Sequence, residues 1–403
     1  MTRNIPVPLV LACGSAIALI SLGERSAFGL FQNDMANARE WGRETFALAF
    51  AIQNLVWGIG QPIAGALGDR YGTFKVLVVG GLLYAIGLVG TVFVESSLGM
   101  HLLFGVVLGL GMSASSFAIV MSAFGRVVSP KHRTIAFGIG TAAGSLGMFL
   151  FGPLAAILIG TQGWSNTLFV FAGIALLIIP FAIPLQGRSQ NDPALPSQSL
   201  REALVEAFAH RSYVLLVFGF FVCGFHVTFI IAHMPAYLTD LGLPATVAGT
   251  AIALIGLFNV VGSVAAGAIG ARYSKSHSLS ILYALRSVAI VVFLLVPVSG
   301  TSVIVFSSVM GLLWLSTVPL TSGLVAVMFG PRYMGTLFGV VFLSHQVGSF
   351  MGVWLGGVIY DATGSYDGLW WIGVALGVFA ALVHWPIRDA PAPRLAAAAP
   401  AAT

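Results

Sequence analysis

The chain has 403 residues, of which 58% are hydrophobic and only 8% charged. A soluble protein of this length needs far more surface charge, so a water-soluble enzyme or regulatory domain is excluded, and recurring apolar runs of about 20 residues place the chain in lipid. The net charge of +5 invites a polyanion partner, but the placement of the charges removes that reading.

The first apolar run, Val7 to Phe31, is too long for the core of a signal peptide, and no small-residue cleavage site closes it. It reads as the first span. Glu24 and Arg25 sit side by side inside it, and a charge within a span needs a reason. Polar and Gly/Pro punctuation then gives twelve apolar segments, at 7–32, 43–68, 74–94, 98–125, 134–160, 164–185, 212–238, 246–271, 278–298, 301–329, 333–360 and 367–387. The expected architecture is an all-α membrane protein of twelve transmembrane helices in two pseudo-symmetric six-helix bundles. The expected domains are an N-terminal bundle (1–185), a linker with an amphipathic helix (186–211), a C-terminal bundle (212–388) and a disordered tail (389–403).

The loops decide orientation. One alternate set of loops and tails holds fourteen of the 18 Lys and Arg residues, the opposite set holds Arg39 and Arg43, and Arg25 and Arg286 fall inside spans. The positive-inside rule puts both termini in the cytoplasm of an integral plasma (inner) membrane protein. The basic balance therefore reflects topology, and nucleic acid is not an expected partner. In the long loop, Ser199-Leu-Arg-Glu202 reads as a capping box opening the helix LREALVEAFAHR, whose Leu200, Leu204, Ala207 and Phe208 share a face.

The chain repeats itself. GALGDRY (65–71) matches GAIGARY (267–273) at an offset of 202, and PKHRTIAFG (130–138) matches PRYMGTLFG (331–339) at 201. The second register carries Gly147 and Phe149 onto Gly348 and Phe350. Two six-span halves in parallel orientation are the mark of a carrier whose halves rock about a midplane site.

The stretch Gly65-x-x-x-Asp69-Arg70-x-Gly72-x-x-Lys75 resembles the loop signature of the major facilitator superfamily, departing at Thr73 and Phe74, where basic residues are usual. The resemblance implies a conformational latch at Gly65, Asp69, Arg70 and Gly72. The competing reading is an ordinary basic loop. Arg25-Ser26-Ala27-Phe28, then Trp41-Gly42-Arg43, then FALAFAIQNLVWGIGQPIAGALGDRYG, resembles the monocarboxylate transporter and oxalate/formate antiporter group. In the monocarboxylate carriers a first-span lysine sits where Arg25 sits here. Those carriers also have an Asp and an Arg in span eight, where this chain has Asn259 and Ser263.

Counting about 1.5 Å per residue from each span end, the mid-depth polar residues include Gln53, Asn54, Ser113, Ser145, His226, Asn259, Ser316, Thr317, His345 and Gln346. The resemblance implies that spans three, six, nine and twelve are peripheral. Arg286, in span nine, either reaches an anion or anchors its span to backbone carbonyls. Arg25 either lies at the interface beside Glu24 or faces the cavity and takes a carboxylate bidentately. Neighbours on a helix diverge by about 100°, so Glu24 is expected to turn toward another helix. Glu24 aligns with His226 at an offset of 202, and His233 follows on the same face.

Of the 13 acids only Glu24 lies well inside a span. A cavity with Arg, His and amides but almost no carboxylate prefers anions. The expected substrate-binding set is Arg25, Asn54, His226, Asn259, Arg286, His345 and Gln346, with Glu24, His226 and His233 as proton-coupling candidates. Each histidine is equally readable as a satisfied donor. The expected function is secondary transport of small organic anions, most naturally monocarboxylates of the lactate or pyruvate type, by alternating access with protons as a coupling ion. An oxalate/formate-type antiporter and a multidrug exporter are the alternatives. Cys13 and Cys223 give no disulfide or metal spacing, and the sequence offers no clustered acid/base or metal set. No cofactor, metal or enzymatic activity is expected, and the partners are the organic anion, the bilayer and protons.

Overall fold

The computed structural model describes residues 5–39, 43–187 and 198–398. Trp41, Gly42, most of the linker stretch NDPALPSQS and the last five residues lie outside them. Every element among the described residues is helical. That follows from the solvent: in lipid an unpaired peptide group has no water to turn to, and a helix satisfies its own backbone. Apolar side chains accordingly face outward, as in the second span, where Leu55, Ile59 and Ile63 recur every four residues at 57%, 52% and 59% exposure.

Ten stretches among the described residues are long and apolar enough to cross a membrane. One of them, Pro130–Leu185, folds into spans five and six at Gly163, whose φ of +83° suits glycine. The second span, Arg43–Tyr71, is long enough at 29 residues but carries Gln53, Asn54 and Gln61, which lower its apolarity. Twelve spans result, as the sequence predicts. The others are Val7–Ala27 (one, extended to Phe31), Thr73–Phe93 (three), Ser97–Val127 (four), Arg211–Asp240 (seven), Ala245–Arg272 (eight), Lys275–Leu295 (nine), Gly300–Phe329 (ten), Met334–Thr363 (eleven) and Asp367–His384 (twelve).

Two spans are broken within the membrane. The fourth stops at Ala114 and restarts at Phe117. The tenth stops at Leu313 and restarts at Thr317. The restarts lie 200 residues apart, so the breaks repeat with the sequence.

The chain forms two compact units. One comprises Met1–Ser129, Ala143–Gln190 and Pro331–Gly339; the other comprises Pro130–Ala142, Asn191–Gly330 and Val340–Thr403. The repeated glycines are close crossings inside these units. In the first unit a side chain on Gly147 would collide with the Leu19 carbonyl, and one on Gly65 with the Gly335 carbonyl. In the second, Gly348 meets the Phe221 carbonyl in the same way, and Gly138 packs on Gly267 and Ser263. Small residues let helix backbones touch where lipid offers no hydrophobic drive for association.

The linker helix, Leu200–Ala209, opens on the expected capping box: Glu202 N donates to Ser199 Oγ at 3.2 Å and Ser199 N to Glu202 Oε2 at 2.7 Å. Its buried face is Ala203 and Ala207, while Phe208 is exposed. Residues 389–398, which fall in the stretch expected as a tail, make specific contacts. Asp389 accepts from Lys275 N (2.5 Å) and Ser276 N (3.2 Å), Ala392 N donates to Met328 O at 2.8 Å, and Pro393–Ala398 form a short helix whose Arg394 pairs with Glu206 at 3.3 Å. Capping the free amides at the start of the ninth span explains why this stretch is held.

Candidate functional site

In the first unit, Arg25 occupies the last turn of the first helix, and its Nη2 donates to Asn54 Oδ1 at 2.5 Å. The guanidinium lies over the Trp57 ring at 4.9 Å and the Phe50 ring at 5.6 Å. Two successive turns of the second span supply Phe50, Asn54 and Trp57, because residues three and four apart share a helix face. Asn54 Nδ2 donates to Phe50 O at 2.9 Å, and Trp57 Nε1 to Gln61 Oε1 at 3.2 Å. This packing holds the cation by its π faces and by one amide, leaving Nε without a partner. Gln53, one residue earlier, points the other way and donates to Phe104 O at 3.1 Å. Glu24 is fully buried, and among the described residues neither of its oxygens has a hydrogen-bond partner.

In the second unit a polar cluster surrounds the break in the tenth span. Arg286 is fully buried and donates from Nε to Leu313 O at 3.1 Å, and from Nη2 to Leu313 O at 2.7 Å and to Trp314 O. Those carbonyls end the first half-helix and have no partner further along their own helix. Asn259 Oδ1 accepts from Leu315 N at 2.9 Å and from Ser263 Oγ at 3.2 Å. The break is thus held on both of its backbone polarities. Cys223 Sγ lies 3.2 Å from Thr317 Oγ1 and 3.9 Å from Arg286 Nη2, with His345 alongside.

The histidines divide. His226 is fully buried and donates from Nε2 to Gly373 O (2.7 Å). His233 donates to Val353 O (3.0 Å) and its ring packs on Tyr366. Both are engaged with backbone of the eleventh and twelfth spans. His345 is buried, stacks on Phe342 with centroids 5.3 Å apart, and meets Gln346 Oε1 at 3.1 Å and Ser349 Oγ at 3.5 Å. The structure therefore brings Arg25 to Asn54, and His345 to Gln346. It places Arg286 and Asn259 on the helix break and His226 and His233 on packing contacts.

At the end of the second span, Asp69 is buried and accepts from Gly335 N (3.3 Å), Thr336 N (2.9 Å), Thr336 Oγ1 (2.9 Å) and Ser122 Oγ (3.2 Å). Gly335 and Thr336 open the eleventh helix, so the carboxylate sits at its positive end. Arg70 stacks on Tyr71 at 5.1 Å, and Gly72, at φ +98°, makes the turn into the third span. Sequence reading missed Thr336, which donates twice to Asp69, Tyr283, whose ring lies 5.2 Å from the Arg286 guanidinium, and Cys223 beside the same cation. The doublets Ser115-Ser116 and Ser316-Thr317 carried the only sign of the breaks.

Twelve spans, two internally repeated sets and charged groups buried beside amides define a polytopic membrane carrier. The pattern of the Major Facilitator Superfamily matches residues 13–353, and the chain belongs to that superfamily. It is 24% identical over 369 residues to monocarboxylate transporter 11 of Mus musculus, covering 89% of this chain and 82% of that one. It is 24% identical over 393 residues to monocarboxylate transporter 13 of Bos taurus, covering 95% and 90%. Among solved structures, the proton:xylose symporter XylE aligns with a TM-score of 0.74 at 13% identity, covering 97% and 98%. The human organic anion transporter MFSD10 aligns at 0.69 and 16% identity, covering 94% and 99%. These two likenesses concern the fold. The chain is a transporter rather than an enzyme.

Proposed function

We propose that this chain carries small organic anions, specifically monocarboxylates of the lactate or pyruvate size, by alternating access, and that Arg25 is the carboxylate anchor. One observation carries the reading: the Arg25 guanidinium is fixed between Trp57 and Phe50 and, among the described residues, donates to the neutral amide of Asn54. A cation desolvated by aromatic faces and given a neutral partner attracts an anionic substrate, whose carboxylate replaces or joins the amide. His345, stacked on Phe342, and its neighbour Gln346 are further proposed substrate-binding residues. The names of the monocarboxylate transporters to which the chain is similar support the same substrate class.

Arg286, Asn259, His226 and His233 serve as supports in this reading. Asp69, with Gly65, Arg70 and Gly72, is the proposed latch. The excess of basic loops supports a plasma-membrane carrier with both termini in the cytoplasm.

The test is uptake and exchange of labelled lactate, pyruvate, oxalate and formate in proteoliposomes, with an organic cation as control, for wild type and Arg25→Ala. Exchange of a monocarboxylate that falls roughly a hundredfold in the variant is expected, because hydrogen bonds to a charged group contribute about 1.5–3 kcal/mol each. Movement of the cation alone would overturn the reading.

A further inference from the structure

The second unit buries a cation that no group of opposite charge answers. Arg286 has no exposure, and a guanidinium keeps its charge when desolvated. Among the described residues the acids of this unit lie elsewhere: Glu202 and Glu206 in the linker helix, Asp240, Asp361 and Asp367 at helix ends, and Asp389 beyond the twelfth span. The histidines nearby, His226 and His345, offer no negative charge. The carbonyls of Leu313 and Trp314 meet only part of the guanidinium. Nε and Nη2 make those bonds, and Nη1 has no hydrogen-bond partner among the described residues.

A second donor is idle beside it. Tyr283 sits one turn before Arg286 on the ninth span, with its ring 5.2 Å from the guanidinium. Its buried hydroxyl has no hydrogen-bond partner among the described residues and lies toward Cys223 and Thr317. Cys223 Sγ links the two sides, 3.9 Å from Arg286 Nη2 and 3.2 Å from Thr317 Oγ1. Thr317 opens the second half of the tenth span, Thr317–Phe329, a helix of 13 residues whose positive end faces the break. Two idle donors, a fixed cation and a helix N-terminus thus meet in a nest without a carboxylate. A buried donor without an acceptor and a buried charge without a counter-charge are both destabilising, and one anion would relieve both.

We propose that this nest binds a single chloride ion, held by Arg286 Nη1 and the Tyr283 hydroxyl. Size selects the class of ligand. Tyr283, Arg286, Cys223 and Thr317 all have 0% exposure, an enclosure that suits a monatomic anion and not the carbon skeleton of an organic acid. A single negative charge also matches the single cation. The ion is a resident counter-charge that ties the ninth span to the break in the tenth, apart from the substrate anion proposed at Arg25. Its occupancy is independent of which substrate the carrier moves.

The experiment uses the full chain purified in gluconate, with radiolabelled chloride as the probe and melting temperature as a second reading. Wild type is expected to bind one chloride per chain. It should melt about 3 °C higher in saturating chloride than in gluconate of equal ionic strength. Bromide should displace the label, whereas lactate and pyruvate should not. An ion carried through purification is detected by denaturing the gluconate-purified protein and assaying the chloride released. Tyr283→Phe keeps the ring over Arg286 and removes only the hydroxyl. It is expected to weaken chloride binding at least tenfold and to lose the melting response. Arg25→Ala, expected to lose transport, should keep both. Wild type with neither bound nor released chloride, unchanged affinity in Tyr283→Phe, loss of binding in Arg25→Ala, or displacement by lactate would each overturn the proposal. Should the Phe variant not fold, the wild-type and Arg25→Ala readings decide equally. Failure of the substrate reading at Arg25 appears in the transport assay alone and leaves these binding results unchanged.

Discussion

Arg286 of the ninth span donates to the Leu313 carbonyl through both Nε (3.1 Å) and Nη2 (2.7 Å), closing a fork on the end of a half-helix. A buried guanidinium is costly by itself, and its presence here is accounted for by carbonyls that no water could satisfy.

Arg286→Lys keeps the charge but not the fork. Its stability is expected to fall by about 2 kcal/mol, read as a lowered apparent melting temperature of the purified protein. The melting shift induced by substrate should survive. A variant that melts like wild type but no longer responds to substrate would return Arg286 to the binding site.

Asn259→Ala orphans the Leu315 amide at the same break, at a cost of about 1–3 kcal/mol. Because Arg286 and Asn259 hold one structural element, the double variant is expected to lose less than the sum of the two single losses. Strict additivity in melting experiments would show that the break is not a single unit.

Asp69→Asn leaves an acceptor but removes the charge that four donors share. A loss of about 2 kcal/mol is expected. Thr336→Val should cost less, since Thr336 N remains a donor. Transport rate and melting temperature, measured on the same preparations, give the order.

Gly147→Val and Gly348→Val should both fail to give folded protein, because each added side chain meets a backbone carbonyl rather than a movable group. Gly152→Val meets nothing and should be tolerated. Yield of monodisperse protein by size-exclusion chromatography checks all three.

Arg25→Lys preserves charge while losing bidentate geometry and the planar stack on Trp57. Affinity for a monocarboxylate is expected to weaken about tenfold, roughly 1.4 kcal/mol, with maximal exchange less affected. Unchanged affinity would mean that the cation acts only as a point charge.

The twelve spans and the superfamily were legible in the sequence, because lipid imposes long apolar runs and the duplicated glycines repeat at a constant offset. The glycines' meaning was less legible. GALGDRY reads as a loop signature, yet Gly65 is a point where its helix backbone touches that of Gly335, a contact between residues far apart in the chain. The polar residues were identifiable as unusual, but not their assignments. Arg25 and Arg286 look alike as lone cations in apolar helices; one bonds a neutral amide between aromatic rings, the other bonds a broken helix.

By itself the sequence determined that this chain spans a membrane in two related halves and buries a few cations with almost no acids. Those are one-dimensional properties, set by hydropathy, period and count. Only the tertiary structure decided which buried groups are satisfied and which are not. Hydrogen bonding in lipid is settled by whichever backbone or side chain another helix brings within reach, and among the described residues that left Glu24 without a partner and gave Asn259, His226 and Arg286 theirs.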